Sequence, residues 1–85
     1  MDVERLSPVN RDLLRQALPD GQLVNVLYQG GARIEAGVDR ERRCFALGER
    51  GWLSFLGWEG RPNEGADCRS TWVLTDAAQA ALGAH

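Results

Sequence analysis

The run from Cys68 to Leu82 constrains the fold more than any other part of the chain, because it sets a strand, a cap and a helix back to back with no linker between them. Cys68, Ser70, Trp72 and Leu74 alternate with Arg69, Thr71 and Val73, the period-two pattern of a half-buried strand. Thr75 is a good N-cap and Asp76 brings a carboxylate to the positive end of the helix dipole. The alanine-rich run to Leu82 then has strong helix propensity, with Gly83 as its stop.

With 85 residues the chain reads as one domain, residues 1–85. A chain of this size buries only about 60% of the surface its unfolded form exposes. Each of the three tryptophans, Trp52, Trp58 and Trp72, therefore matters, since one aromatic side chain buries roughly 150 to 250 Å². The net charge is −2 and every basic residue is an arginine, which reads as the codon usage of a GC-rich genome. A mildly acidic balance argues against a partner held mainly by its phosphates, because that mode needs clustered positive charge. Cys44 and Cys68 lack the spacing of a metal site or a disulfide framework and read as small buried thiols. The acidic N-terminal residues Asp2 and Glu4 stand where a secretory signal carries basic ones, and no apolar run is long enough to span a bilayer. The expected location is cytoplasmic.

Ser7 followed by Pro8 signals a helix start. Val9, Leu13 and Ala17, with Leu14 and Leu18 beside them, make an apolar stripe at helical spacing that Pro19, Asp20 and Gly21 end. The stretch 22–37 fits two structures: Leu23, Val26 and Leu27 suit a short helix, while the β-formers around them and Gly30-Gly31 suit a hairpin. The helix is the slightly favoured expectation. Asp39 can cap a further helix from Arg40 to about Arg50, with Arg40, Cys44 and Leu47 in an inward row and Gly51 as the stop. At about 100° per residue, Arg43 and Arg50 then project in nearly one direction with Arg42 close by, while Glu41 and Glu49 read as solvated partners in surface ion pairs. Trp52 to Trp58 reads as a strand, with Leu53 and Phe55 on one side and Trp52, Ser54, Leu56 and Trp58 on the other. Glu59 to Asp67 is too polar and too rich in Gly and Pro to be anything but a loop.

The order of helix, Glu49-Arg50-Gly51-Trp52-Leu53, hairpin, Thr71-Trp72-Val73-Leu74-Thr75-Asp76-Ala77 and alanine-rich helix resembles the winged-helix superfamily of bacterial regulators, mainly over residues 38–85. The resemblance implies a small α+β winged-helix-like domain of three or four helices, with the hairpin as the wing. It also implies that the helix ending at Arg50 is the recognition helix, so that Arg42, Arg43 and Arg50 would meet DNA. Two features depart from that pattern. Gly30, Gly31 and Gly37 fall where the family has a regular second helix. The wing loop sets Glu59, Glu64 and Asp67 against Arg61 alone, a charge balance that a phosphate backbone repels.

Catalytic patterns are absent from the sequence. The only histidine is the terminal His85, and no zinc-type pair, phosphate loop or dinucleotide fingerprint is present, so no enzyme activity, metal or cofactor is expected. Trp58 ends a strand beside a polar loop; core packing is its favoured role, and exposure would instead mark a contact surface. The reading is a non-catalytic regulatory module that binds another protein, an adaptor or inhibitor of the kind encoded by phages and mobile elements. The alternative is a winged-helix transcriptional regulator binding duplex DNA, and a homodimer is compatible with both. The candidate macromolecule-binding residues are Arg42, Arg43, Arg50, Trp58, Glu59, Arg61, Glu64 and Asp67.

Overall fold

A computed structural model describes residues 1–60 and 67–83. A short 3-10 turn, Val3–Arg5, precedes helix α1, Pro8–Gln16. The Ser7 hydroxyl caps α1 by accepting from the Asn10 N–H at 3.2 Å, and Pro8 occupies its first turn, as the local sequence requires. Leu13, Leu14 and Ala17 turn inward, whereas Val9 and Leu18, expected in the same stripe, are exposed. The buried stripe is thus narrower than the apolar one.

Strands β1, Gln22–Gln29, and β2, Ala32–Arg33, follow as a hairpin turning at Gly30 and Gly31, both with positive φ. The helix favoured over this stretch does not form. Leu23, Asn25 and Leu27 alternate to one face, and the Leu23–Trp72 and Asn25–Ser70 register with a later strand supplies the ladder that local periodicity could not reveal.

Helix α2 spans Glu35–Glu49 and so begins one turn before the start expected at Arg40, with Ile34 rather than Asp39 at its N-cap. Gly37 makes this possible. It lies against β1 so closely that a Cβ would overlap the Val26 carbonyl oxygen. Gly48, three turns further on, faces the Trp72 ring, where a Cβ would be in tight contact at 3.1 Å. Gly37, Glu41, Cys44 and Gly48 recur at the i, i+4, i+7, i+11 spacing of one helix face. Because that face is small or polar, α2 can sit close on the sheet.

Strands β3, Leu53–Glu59, and β4, Cys68–Leu74, complete an antiparallel sheet in the order β2-β1-β4-β3, and helix α3, Asp76–Gly83, closes the described chain. Thr75 caps α3 as its type predicts, accepting from the Ala78 N–H at 3.1 Å while its own hydroxyl donates to the Gly51 carbonyl at 2.7 Å. The alternation expected in β4 is also present: Cys68, Ser70, Trp72 and Leu74 are all buried. In β3 the register against β4 shifts between Phe55 and Gly57. This β-bulge puts Trp58 on the same side as Phe55, where strict alternation placed it on the opposite side.

The main core joins Val3, Leu6, Leu13, Leu14, Leu47, Trp52, Leu53, Trp72, Leu74, Ala78 and Leu82, and so draws on all three helices and one face of the sheet. Beyond Cys44 that interior becomes polar.

Candidate functional site

Glu41 projects from the sheet-facing row of α2 and is only 7% exposed. The sequence reading placed it in the solvent as an ion-pairing surface acid. Instead its Oε1 accepts from Trp72 Nε1 at 2.6 Å, from Ser70 Oγ at 2.7 Å and from Asn25 Nδ2 at 3.1 Å, while its Oε2 accepts from Trp58 Nε1 at 3.2 Å. All four donors are neutral. A carboxylate taken out of water is tolerated when its lone pairs are met by well-placed hydrogen bonds, and here β1, β3 and β4 each supply at least one.

The consequence is a polar layer, Asn25, Glu41 and Ser70, between the main core and the buried pair Leu27 and Cys68. Asn25 Nδ2 also reaches Cys44 Sγ at 3.5 Å. Burial pushes the Cys44 thiol up from its ordinary value, the Asn25 hydrogen bond works against that shift, and the nearby Glu41 charge adds to it. Cys68 is pushed up by burial, with Glu41 again contributing. Both cysteines are free, and both are buried, as expected of small thiols.

On the solvent side of Glu41 lies an aromatic surface. Trp72 is buried, and Phe45 and Phe55 pack on it with ring centroids 4.9 and 5.0 Å away. Trp58 stands edge-on to Phe55 at 5.2 Å. Phe45, Phe55 and Trp58 remain 47, 40 and 49% exposed, and Leu56 at the bulge is 62% exposed. An apolar groove of about 280 Å³ beside them is lined by Leu27, Val38, Arg42, Phe45 and Trp58, with Glu41 behind. The two oxygens of one buried carboxylate therefore hold two indoles, one forming the base of the aromatic surface and the other its exposed rim.

The arginines singled out from the sequence do not gather in one place. Arg42 borders the aromatic groove, Arg43 borders a separate groove shared with Asp12, Leu13 and Arg40 between α1 and α2, and Arg50 caps the end of α2; all three are exposed. Of the loop acids, Glu59 lies in β3 and pairs with Arg69 at 2.8 Å, and the Asp67 carboxylate accepts from the Gly30 N–H at 2.9 Å. Both are engaged within the fold. Arg61, Glu64 and His85 lie outside the described residues.

Sequence reasoning missed Glu41, Phe45, Phe55 and Leu56 as parts of one site. Two signals for them were present: Glu41 stands three residues before the inward Cys44, and a glycine inside a strand, here Gly57, marks a bulge. Among the described residues no cluster of His, Cys, Asp and Glu side chains could hold a metal ion, and no helix is long and apolar enough to cross a membrane. No protein-family model, curated protein or solved structure matches the chain.

Proposed function

We propose that this chain is a non-catalytic regulatory module, an adaptor or inhibitor, that binds a protein partner through the aromatic side of β3. The observation that carries the reading is Trp58: half exposed, with its indole N–H anchored on the buried Glu41. Large exposed aromatics held in one orientation lose little entropy on binding, and tryptophan is enriched among residues that dominate interface energetics. Phe45, Phe55 and Leu56 extend the same surface. A winged-helix-like architecture is the finer fold reading, supported by the succession of α2, the β3–β4 hairpin and α3; the β1–β2 hairpin before α2 stands where a helix-turn-helix has its first helix.

The test is affinity capture from extracts of the source organism, with wild-type protein and Phe45→Glu compared side by side. Phe45 takes no part in the Glu41 hydrogen bonds and is half exposed, so the far-ultraviolet circular dichroism of the variant should be unchanged. A stoichiometric protein recovered on the wild type and reduced at least ~10-fold on the variant, as expected for a hot-spot residue, supports the reading. Recovery of no partner, or equal recovery on both, overturns it.

Binding to duplex DNA is the second reading, favoured by the exposed Arg42, Arg43 and Arg50 on and just beyond α2. Their division between separate grooves weakens it, because counterion release rewards charges that track one phosphate path. Retention of duplex DNA at about 50 mM salt, lost steeply as salt rises, would favour this reading over the first.

A further inference from the structure

Strand β3 ends the sheet, and among the described residues no strand pairs with its outer edge. At the opposite edge the two-residue β2 pairs only with Tyr28 and Gln29 at the end of β1. β3 is seven residues long and carries large apolar side chains: Phe55 and Trp58 on the face shared with Trp72, and Leu56 at the bulge opposite Thr71. An edge strand that is long, exposed and apolar is a template for another strand.

From this geometry we infer that β3 pairs with β3 of a second copy, antiparallel about a two-fold axis, to make one continuous eight-stranded sheet. The inference rests on the protein-binding reading of this surface and identifies the occupant of its β3 edge. Directly opposed residues of antiparallel strands share a face. The bulge makes β3 complementary to itself under that rule, because Phe55 and Trp58 are three residues apart yet on one side. With the axis between Leu56 and Gly57, Phe55 faces the partner's Trp58 and Leu56 faces the partner's Gly57. Gly57 has no side chain, φ of +153°, and nothing within 4 Å of where a Cβ would stand, so there is room for that leucine. Ser54 then faces the partner's Glu59, both on the face away from the helices.

The area is sufficient for such a pair. Phe55, Leu56 and Trp58 of β3 together expose on the order of 300 Å² per copy. With the edge backbone added, two copies cover roughly 1,000 Å², the level at which a specific interface becomes plausible. The charge of β3 does not oppose the pairing, since Glu59 is already matched by Arg69 within its own chain.

Sedimentation equilibrium on the wild-type chain and three variants tests the inference. The wild type is expected to be dimeric at about 100 μM, and Leu56→Lys, a charge on an exposed edge residue, should be folded and monomeric. The register adds a second measurement: Ser54→Lys, opposite the partner's Glu59, should tighten the dimer about 2- to 5-fold and Ser54→Glu should loosen it by a similar factor. A monomeric wild type, a dimer that survives Leu56→Lys, or a dimer indifferent to both Ser54 changes overturns the edge pairing. The two ideas fail separately. A monomeric wild type that still captures a partner lost in Phe45→Glu removes only the dimer, whereas a dimer that captures nothing removes only the adaptor reading.

Discussion

The indole N–H of Trp72 donates to Oε1 of Glu41 across 2.6 Å, joining the middle of β4 to the middle of α2 inside the protein. Ser70, Asn25 and Trp58 complete the coordination of the carboxylate, so this one acid organises the sheet-helix interface and the aromatic surface beyond it. Removing the acceptor leaves several buried donors unmet, which is costlier than losing a single surface contact. Glu41→Ala is expected to destabilise by about 3 to 5 kcal/mol, and Glu41→Gln, which keeps one carbonyl acceptor but turns an N–H₂ towards a donor, by about 1 to 3 kcal/mol. Urea unfolding followed by tryptophan fluorescence measures both.

Gly37 should be intolerant of a side chain. In an exposed helix interior, Gly→Ala gains about 1 kcal/mol, but here the added Cβ meets the Val26 backbone carbonyl, which cannot swing aside. The expected net result is a loss of about 1 to 3 kcal/mol, from the displacement of α2. The same shift lengthens the Glu41 hydrogen bonds, so the near-ultraviolet circular dichroism of Trp58 and Trp72 should weaken alongside the urea midpoint. A stabilised Gly37→Ala variant would contradict this packing.

Trp58→Phe separates the donor from the ring. The substitution keeps an aromatic body at the exposed position and removes the N–H that reaches Glu41 Oε2. Stability should fall by about 0.5 to 1.5 kcal/mol, the net worth of one hydrogen bond. Partner capture should fall further than the fold does, because the remaining ring is no longer pinned.

Alkaline pH should weaken the fold through its thiols. Burial raises both Cys44 and Cys68, so in the folded chain they keep their protons at pH values where the unfolded chain has lost them. Fewer protons bound to the unfolded state means that stability falls as pH rises above the ordinary cysteine value of about 8.5, and is untouched by this effect well below it. Urea midpoints measured from neutral pH to about pH 9.5 should decline in the wild type and decline less in Cys44→Ala. Equal slopes for the two would remove Cys44 from the account.

Much of the architecture was legible because the signals were local. Ser7 with Pro8, Thr75 with Asp76, and the alternation from Cys68 to Leu74 each depend on groups within a few residues, and each stands in the structure where its chemistry requires. The segment 22–29 was not legible in the same way. Leu23, Val26 and Leu27 satisfy a helical spacing, and only a strand some forty residues later decides between helix and sheet. The site was less legible still. Glu41 looks like any acid on an amphipathic helix until donors 16, 17, 29 and 31 residues away in the chain close around it.

The sequence alone therefore determined the capped helices α1 and α3, the strand β4 and the burial of the two thiols. Those features follow from backbone hydrogen-bonding and side-chain patterns that neighbouring residues complete by themselves. Tertiary structure alone decided that 22–33 is a hairpin, that Trp58 shares a face with Phe55, and that Glu41 lies inside. These depend on ladder register, on a bulge and on the close approach that Gly37 and Gly48 permit. The energy of each belongs to a contact between distant segments, and such a contact exists only once the chain has folded.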